Sequence, residues 1–355
     1  MQICFILGTR PEIIKMAPLI RACEDKNIDY FVIHTNQHYS ENMDKVFFKE
    51  LNLKSAKYNL NVGSGTHGKQ TGKMLEKIEE VLLKEKPDVV LVQGDTNTVL
   101  AGALAASKLH IKVGHVEAGL RSYDWGMPEE INRIMADHIS DYLFCPTDLE
   151  AKICYKEGIE KNKVFVTGNS VVDAVLQNIK LVNEKKTLKK YGLTKGKYVY
   201  LTMHRPSNVD TKEALSKQIA NLEQFCKDTG LNVLFPIHPR TKSNLEKYNL
   251  KPGKGIVFVD PVSYLDGLAL MKNAKIILTD SGGIQEETCI LGVPCLVLRE
   301  NTERPQALDV GAAKLVGSDY TKFISGYNNY NKKIKPWKNP FGDGKTGEKI
   351  IKSLF

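Results

Sequence analysis

Short apolar runs of strand length alternate along this chain with longer stretches in which apolar positions recur at helical spacing. The runs expected as strands are 3–7, 30–35, 89–93, 113–117, 142–145 and 164–167, then 198–203, 232–236, 256–259, 275–279 and 294–298. Strands separated by helices throughout argue for parallel sheets covered by helices, an α/β class. A Lys-rich break near 180–197 divides the pattern into two such units, 1–180 and 181–335, followed by a terminal segment 336–355. Ligands of such sheets sit beyond the carboxyl ends of the strands, so a ligand is expected between the two halves, and the loops after the strands are where chemistry is sought.

Composition narrows the class. At 355 residues, 42% hydrophobic and 26% charged, the chain is ordinary for a soluble globular protein with room for two domains. Its longest weakly charged stretch, 89–107, contains Gln93, Asp95 and Asn97 and reads as strand, turn and helix rather than a membrane span. Met1 runs directly into QICFIL without a basic flank or cleavage site, so a cytoplasmic location is expected. The seven cysteines are odd in number, form no CxxC and mostly lie in apolar segments, as reduced core thiols do. The net charge of +9 owes much to lysines in 180–197 and 332–352, without the interleaved aromatics of a nucleic-acid surface. No nucleic-acid partner is expected, and the balance suits a multiply charged small anion.

The anion has candidate seats. In Ala274 to Glu287, AKIILTDSGGIQEE, a strand-like run breaks at Asp280-Ser281-Gly282-Gly283 and restarts as a helix. Adjacent glycines let backbone approach a phosphate, and the first N–H groups and dipole of the helix favour its charge. Glu286 and Glu287 follow, where a carboxylate can accept from ribose hydroxyls; an ordinary αβ turn would carry the same residues. Gly8-Thr9-Arg10-Pro11-Glu12 makes a second such step, with Pro11 opening a helix and Arg10 and Lys15 near its N-terminus. Asp95 ends one strand, in QGDT, and Glu117 the next, in HVEAG; Glu129 and Glu130 open the helix containing Asn132 and Arg133. Two strand-end acids converging on one crevice point to chemistry, whereas acids in a first helical turn are common for dipole reasons alone. His204-Arg205 and His238-Pro239-Arg240 end two strands of the second half with paired cations. No His shows metal-ligand spacing, so no metal is expected. Gly63 to Lys69 nearly matches both a dinucleotide fingerprint and a P-loop, but it follows a polar segment and Gln70 stands where a P-loop needs Ser or Thr.

Ten segments in order, among them GTRPEIIKMAPL, QGDTNTVLAGALAA, VGHVEAGLRS, MPEEINRIMADHISDYLFCPT, LTMHRP, IHPR, LTDSGGIQEE and GVPCLVLRENTERPQA, resemble the non-hydrolysing UDP-N-acetylglucosamine 2-epimerases over essentially the whole chain. The resemblance implies a GT-B fold, two Rossmann-like domains with parallel sheets facing a central cleft and closing on the nucleotide sugar, and a final helix crossing back to the first domain. It also implies a homodimer and interconversion of UDP-GlcNAc and UDP-ManNAc without cofactor, by elimination of UDP to 2-acetamidoglucal and re-addition. Such an enzyme supplies ManNAc-type sugars for surface polysaccharide or glycoprotein glycans. Carried over by residue, Arg10 matches the family's cleft arginine, Asp95, Glu117 and Glu129 its catalytic acids and His204 its catalytic-site histidine. Ser281, Gly282 and Gly283 match its diphosphate turn, Glu287 its ribose carboxylate and Arg304 its second-domain arginine. Lys15, Arg205, His238 and Tyr264 are placed with the UDP-binding group, and Gln37, His38, Gln70 and His238 at a regulatory UDP-GlcNAc site.

Two departures from the family stand out, the first bearing on the sugar and the second on stacking of the base. Pro206-Ser207-Asn208 replaces the family's frequent REN or AEN, and Gly267 stands where many members carry an aromatic residue near the uracil. UDP-2,3-diacetamido-2,3-dideoxyglucuronate is the alternative substrate, because relatives acting on that sugar share the MPEEINR type of sequence and the changed loop after His204 bears on sugar recognition. A hydrolysing 2-epimerase and a GT-B glycosyltransferase are further rivals, the latter needing an acceptor but not three acids around the sugar.

Overall fold

The computed structural model describes residues 1–37, 48–332 and 335–355. They form two compact units, Met1–Leu176 with Phe341–Phe355 (unit 1) and Gln177–Pro340 (unit 2).

Unit 1 is built on strands β1 (Gln2–Leu7), β2 (Asp29–His34), β3 (Tyr58–Asn59), β4 (Val89–Gln93), β5 (Lys112–Val116), β6 (Tyr142–Cys145) and β7 (Val164–Val166), in the order β3-β2-β1-β4-β5-β6-β7. Every pairing is parallel. β4, VVLVQ, is buried along its whole length, as a strand covered on both faces must be. The helix His67–Glu85 buries Gln70, Met74, Ile78, Val81 and Leu82, a stripe at helical spacing, and turns its lysines and glutamates outward. The helix Asn97–Lys108 lies close on β1 and β4: a Cβ on Gly102 would come within 3.1 Å of Ile6 and Val92. The helix Thr346–Ser353 belongs to this unit; Gly347 lies against the backbone of Pro18, and its N–H donates to Asp173.

Unit 2 contains β8 (Tyr198–Thr202), β9 (Asn232–Pro236), β10 (Ile256–Val259), β11 (Ile276–Thr279), β12 (Cys295–Val297) and β13 (Ala313–Leu315), again all parallel, in the order β10-β9-β8-β11-β12-β13. Its core gathers Val199, Leu201, Leu222, Phe225, Val233, Phe235, Leu278 and Phe323. Strand order reverses at β1/β4 in one sheet and at β8/β11 in the other, the position at which α/β sheets hold ligands.

All eleven expected strands are present, and the two α/β units of Rossmann type accord with the GT-B reading. β3 and β13 were not anticipated; at two and three residues they are too short to show alternation. The Lys-rich stretch does more than divide the two units. It contains the helix Glu184–Lys190, anchored where Thr187 and Lys190 meet Asp266 and where Glu184 meets Lys272 and Asn273. All seven cysteines are buried thiols. Among the described residues no helix is long and apolar enough to cross a membrane.

Candidate active site

In unit 1 the loops after β1, β4 and β5 carry the acids. After β1, Thr9 caps the helix Arg10–Asp25 in a capping box with Glu12. The Glu12 carboxyl accepts from Gly8 N, Thr9 N and the Thr96 hydroxyl, so one buried group ties the β1 loop to the β4 loop at the point of strand reversal. Burial pushes its pKa up to about 7 against the pull of those donors. Arg10 is half-buried at the start of the same helix.

After β4, Gly94 adopts φ +86° and Thr96 caps the helix Asn97–Lys108, leaving Asp95 between them. Arg133 donates to Asp95 Oδ2 from Nε at 3.0 Å and Nη2 at 2.6 Å, while Asn132 Nδ2 donates to the Asp95 carbonyl at 2.9 Å. Both donors come from the helix Pro128–Ile139. After β5, Glu117 is buried at φ +72°, a left-handed conformation that costs a non-glycine residue roughly 1–3 kcal/mol. Its Oε2 lies 2.5 Å from Lys15 Nζ and accepts from Gln93 Nε2. Glu129 is half-buried in the first turn of the helix Pro128–Ile139. Its neighbour Glu130 is structural: it accepts from Ser122 N and Oγ and Tyr123 N, and pairs with Arg133. Asp95 and Glu117 thus sit at adjacent strand ends, each beside its own cation, an arrangement able to accept and return protons.

In unit 2 Asp280 organises the loops. It follows β11, is fully buried, and accepts from His204 N, Arg205 N and Asn208 Nδ2, while the Thr202 and Thr279 hydroxyls meet at 2.6 Å beneath it. The His204 ring stacks on His238 with centroids 5.1 Å apart, and its Nδ1 lies 3.4 Å from Asp280. Burial lowers the His204 pKa, favouring the neutral ring. His238 caps the helix Pro239–Lys247 by accepting from Arg240 N, and the Arg240 guanidinium is engaged with Asp210.

Ser281 caps the helix Gly282–Leu291, and the two glycines at its start face different surroundings. A Cβ on Gly282 would meet Glu303 Oε1 at 2.6 Å, whereas one on Gly283 would meet nothing within 4 Å. Glu303 lies among guanidinium groups, 2.8 Å from Arg299 Nη2 and 3.8 Å from Arg205 Nη2. Burial works against its charge, but Arg304 and Arg299 hold its carboxyl down at about 2. Arg304 Nε lies 2.5 Å from Glu286 Oε1, and Glu287 is buried one residue further along the helix. The free N–H groups and dipole of this helix N-terminus, with the guanidinium groups of Arg205, Arg299 and Arg304 around it, offer donors to an anion. Tyr264 is buried at the start of the helix Tyr264–Asn273, where Gly267 has ordinary contact distances.

Of the residues assigned to a regulatory site, Gln70 is buried and donates to the Gln37 and Gly63 carbonyls, and its Oε1 accepts from Asn97. His238 belongs to unit 2, and His38 lies outside the described residues. Sequence reasoning passed over Arg299 and Glu303, and gave no role to Glu12, Gln93, Asn132, Arg133 or Asp280. Gln93 and Asp280, at the ends of two strands, and Glu303, beside Arg304, carried a positional signal.

A family model described as UDP-N-acetylglucosamine 2-epimerase matches residues 21–355. A UDP-N-acetylglucosamine 2-epimerase of Methanocaldococcus jannaschii is 57% identical over 361 aligned positions, covering 100% of this chain and 99% of the relative. A crystal structure of a M. jannaschii UDP-GlcNAc 2-epimerase in complex with UDP-GlcNAc and UDP superposes with a TM-score of 0.94 at 57% identity, covering 100% of this chain and 99% of that one. A UDP-2,3-diacetamido-2,3-dideoxy-D-glucuronate 2-epimerase of Pseudomonas aeruginosa is 38% identical, covering 100% of this chain and 99% of the relative.

Proposed function

We propose that this chain, which belongs to the UDP-N-acetylglucosamine 2-epimerase family, is an isomerase that interconverts UDP-GlcNAc and UDP-ManNAc. The observation that carries the reading is the 57% identity across the full chain to enzymes of that activity, well above the 38% to the diacetamido-glucuronate epimerase. Ser281, Gly283, Glu287 and Arg304 are assigned to UDP: the free space at Gly283, the helix N-terminus and the arginines suit a diphosphate, and a carboxylate suits ribose hydroxyls.

The chemistry follows from carbon 2. Its proton is not next to a carbonyl and is too weakly acidic for a side chain to remove unaided. If UDP departs from carbon 1 as that proton is withdrawn, the ring gains oxocarbenium character, and the products of this half-reaction are 2-acetamidoglucal and UDP. Carboxylates stabilise the positive ring, and cationic groups stabilise the leaving phosphate. UDP then adds back to carbon 1 as a proton reaches the other face of carbon 2. Asp95, Glu117 and Glu129 share proton transfer and charge stabilisation, Arg10 stabilises the departing phosphate by its charge and His204, its ring neutral, by donating a hydrogen bond, and Lys15 holds Glu117. Asp95→Asn and Glu117→Gln are each expected to lower kcat roughly 10²- to 10⁴-fold and to release 2-acetamidoglucal and UDP.

The reaction run in deuterium oxide tests this: deuterium is expected at carbon 2 of the epimer, and epimer formed without it overturns the mechanism. Comparison of kcat/KM for UDP-GlcNAc and the diacetamido uronate tests the sugar, and a large preference for the uronate overturns the choice. A homodimer working in the cytoplasm completes the proposal.

A further inference from the structure

His115 is fully buried in β5, two residues before Glu117. Its Nδ1 lies 2.7 Å from Asp137 Oδ1 and its Nε2 lies 2.8 Å from the Gly94 carbonyl oxygen. A carbonyl oxygen only accepts, so Nε2 carries a proton. Asp137 accepts at Oδ2 from Gly119 N and lies 2.8 Å from Arg121 Nη1, which marks it as a carboxylate; it too can only accept from the ring. Both ring nitrogens therefore donate.

We propose that His115 is a positioning residue, a buried imidazolium whose Nε2–H fixes the Gly94 carbonyl and, through that peptide, the backbone of Asp95. The inference rests on the reading of Asp95 as an acid–base group. Three points then hold Asp95: His115 the peptide before it, Asn132 its own carbonyl, and Arg133 its carboxylate. The fixed peptide matters because Gly94 sits at φ +86°, where the chain leaves β4 and a small rotation would swing the following side chain.

The surrounding charges make the buried cation tenable. Asp137 faces it from the helix Pro128–Ile139, and Arg121, from the loop after β5, faces Asp137 and pairs in turn with Glu157. His138 lies 3.4 Å from Glu157, and the Cys145 thiol of β6, near Asp137, is kept uncharged by its hydrogen bond with Cys154 and by burial. Two cations, His115 and Arg121, thus meet two carboxylates, Asp137 and Glu157. Burial opposes the charge on His115, but Asp137 and the Gly94 carbonyl outweigh it and raise its pKa. A neutral ring would leave one of two buried acceptors facing a lone pair.

The test uses the full chain labelled with ¹⁵N-histidine, the His115 signals being assigned by their loss in His115→Gln. Two protonated ring nitrogens are expected at and above neutral pH, and a neutral-imidazole pattern at neutral pH overturns the proposal whatever the enzyme's activity. The variants separate positioning from mere stability. Glutamine can replace the Nε2–H and keep a donor to Gly94; asparagine can replace only the Nδ1–H towards Asp137. His115→Asn is expected to lower kcat roughly 10- to 100-fold with KM and UDP affinity nearly unchanged, while His115→Gln retains most of kcat. Equal kcat in the two variants overturns the positioning role. If His115→Asn does not fold, the wild-type spectrum still decides, and it does so even if UDP-GlcNAc proves not to be the substrate.

Discussion

Replacement of Asp280 measures how much of unit 2's site depends on one buried carboxylate. Three donors converge on its Oδ2: His204 N at 2.9 Å, Arg205 N at 2.8 Å and Asn208 Nδ2 at 3.0 Å. Asparagine with its carbonyl oxygen turned to that position keeps all three, but as neutral bonds. A neutral hydrogen bond contributes about 1 kcal/mol and a charge-assisted one about 1.5–3, so three such exchanges cost about 3 kcal/mol. Alanine leaves three donors without an acceptor at about 1–3 kcal/mol each, and with some relief from entering water the expected loss is about 5 kcal/mol. For a domain of this size each kcal/mol moves Tm by about 2–4 °C. Asp280→Asn should therefore melt about 6–12 °C below wild type, and Asp280→Ala lower still, in scanning calorimetry of the unit 2 transition. The same variants free the backbone of His204 and Arg205, so kcat/KM should fall with Tm in the order wild type, Asn, Ala. An Asp280→Ala protein melting within about 2 °C of wild type would show that the loop is held by something else.

Glu12 gives a pH signature. Its native pKa of about 7 lies above the ordinary 4.5, so the folded state binds more protons than the unfolded one between those values. Its contribution is full below the unfolded pKa and is lost as pH rises through about 7, a fall of about 3 kcal/mol that Glu12→Gln should abolish; denaturant midpoints at about pH 5 and 8 read it, and an unchanged slope refutes it. Gly283→Ala should lower UDP affinity in calorimetry without changing Tm, since a methyl group there meets only the space assigned to the diphosphate. Gly282→Ala should lower both, because its methyl displaces Glu303 from between Arg205 and Arg299; equal behaviour of the two alanines counts against the assignment. Glu287→Ala should weaken UDP binding substantially, and unchanged affinity by calorimetry removes it from the ribose.

The sheets were legible because parallel strands buried on both faces write themselves as unbroken apolar runs, as VVLVQ of β4 does. β3, pairing only Tyr58 and Asn59, writes nothing comparable. The strand-end acids Asp95 and Glu117 could be located for the same reason: polar residues in the loop where an apolar run stops lie at the carboxyl end of a strand. Their partners could not. Arg133 reaches Asp95 across 38 positions and Lys15 reaches Glu117 across 102, and neither separation has a period that a sequence pattern could expose. The SGG turn shows the opposite limit. Two neighbouring glycines look equivalent in sequence, yet one lies against a carboxylate and the other against open space, a difference set by Glu303 in a later loop and visible only in three dimensions.

Unit 1 is discontinuous: residues 341–355 complete a body whose remainder ends at Leu176, and they bring Phe341, Thr346, Ile350 and Ile351 into its interior. A ribosome must therefore translate all of unit 2 before unit 1 can close its core. Multidomain chains ordinarily fold from the N-terminus as synthesis proceeds; here the later-made unit 2, contiguous in sequence, is the first able to finish. The earlier-made unit meanwhile waits with the pocket for its last helix uncovered, so the nascent chain's exposure to chaperones and to aggregation falls on the half that carries the acids.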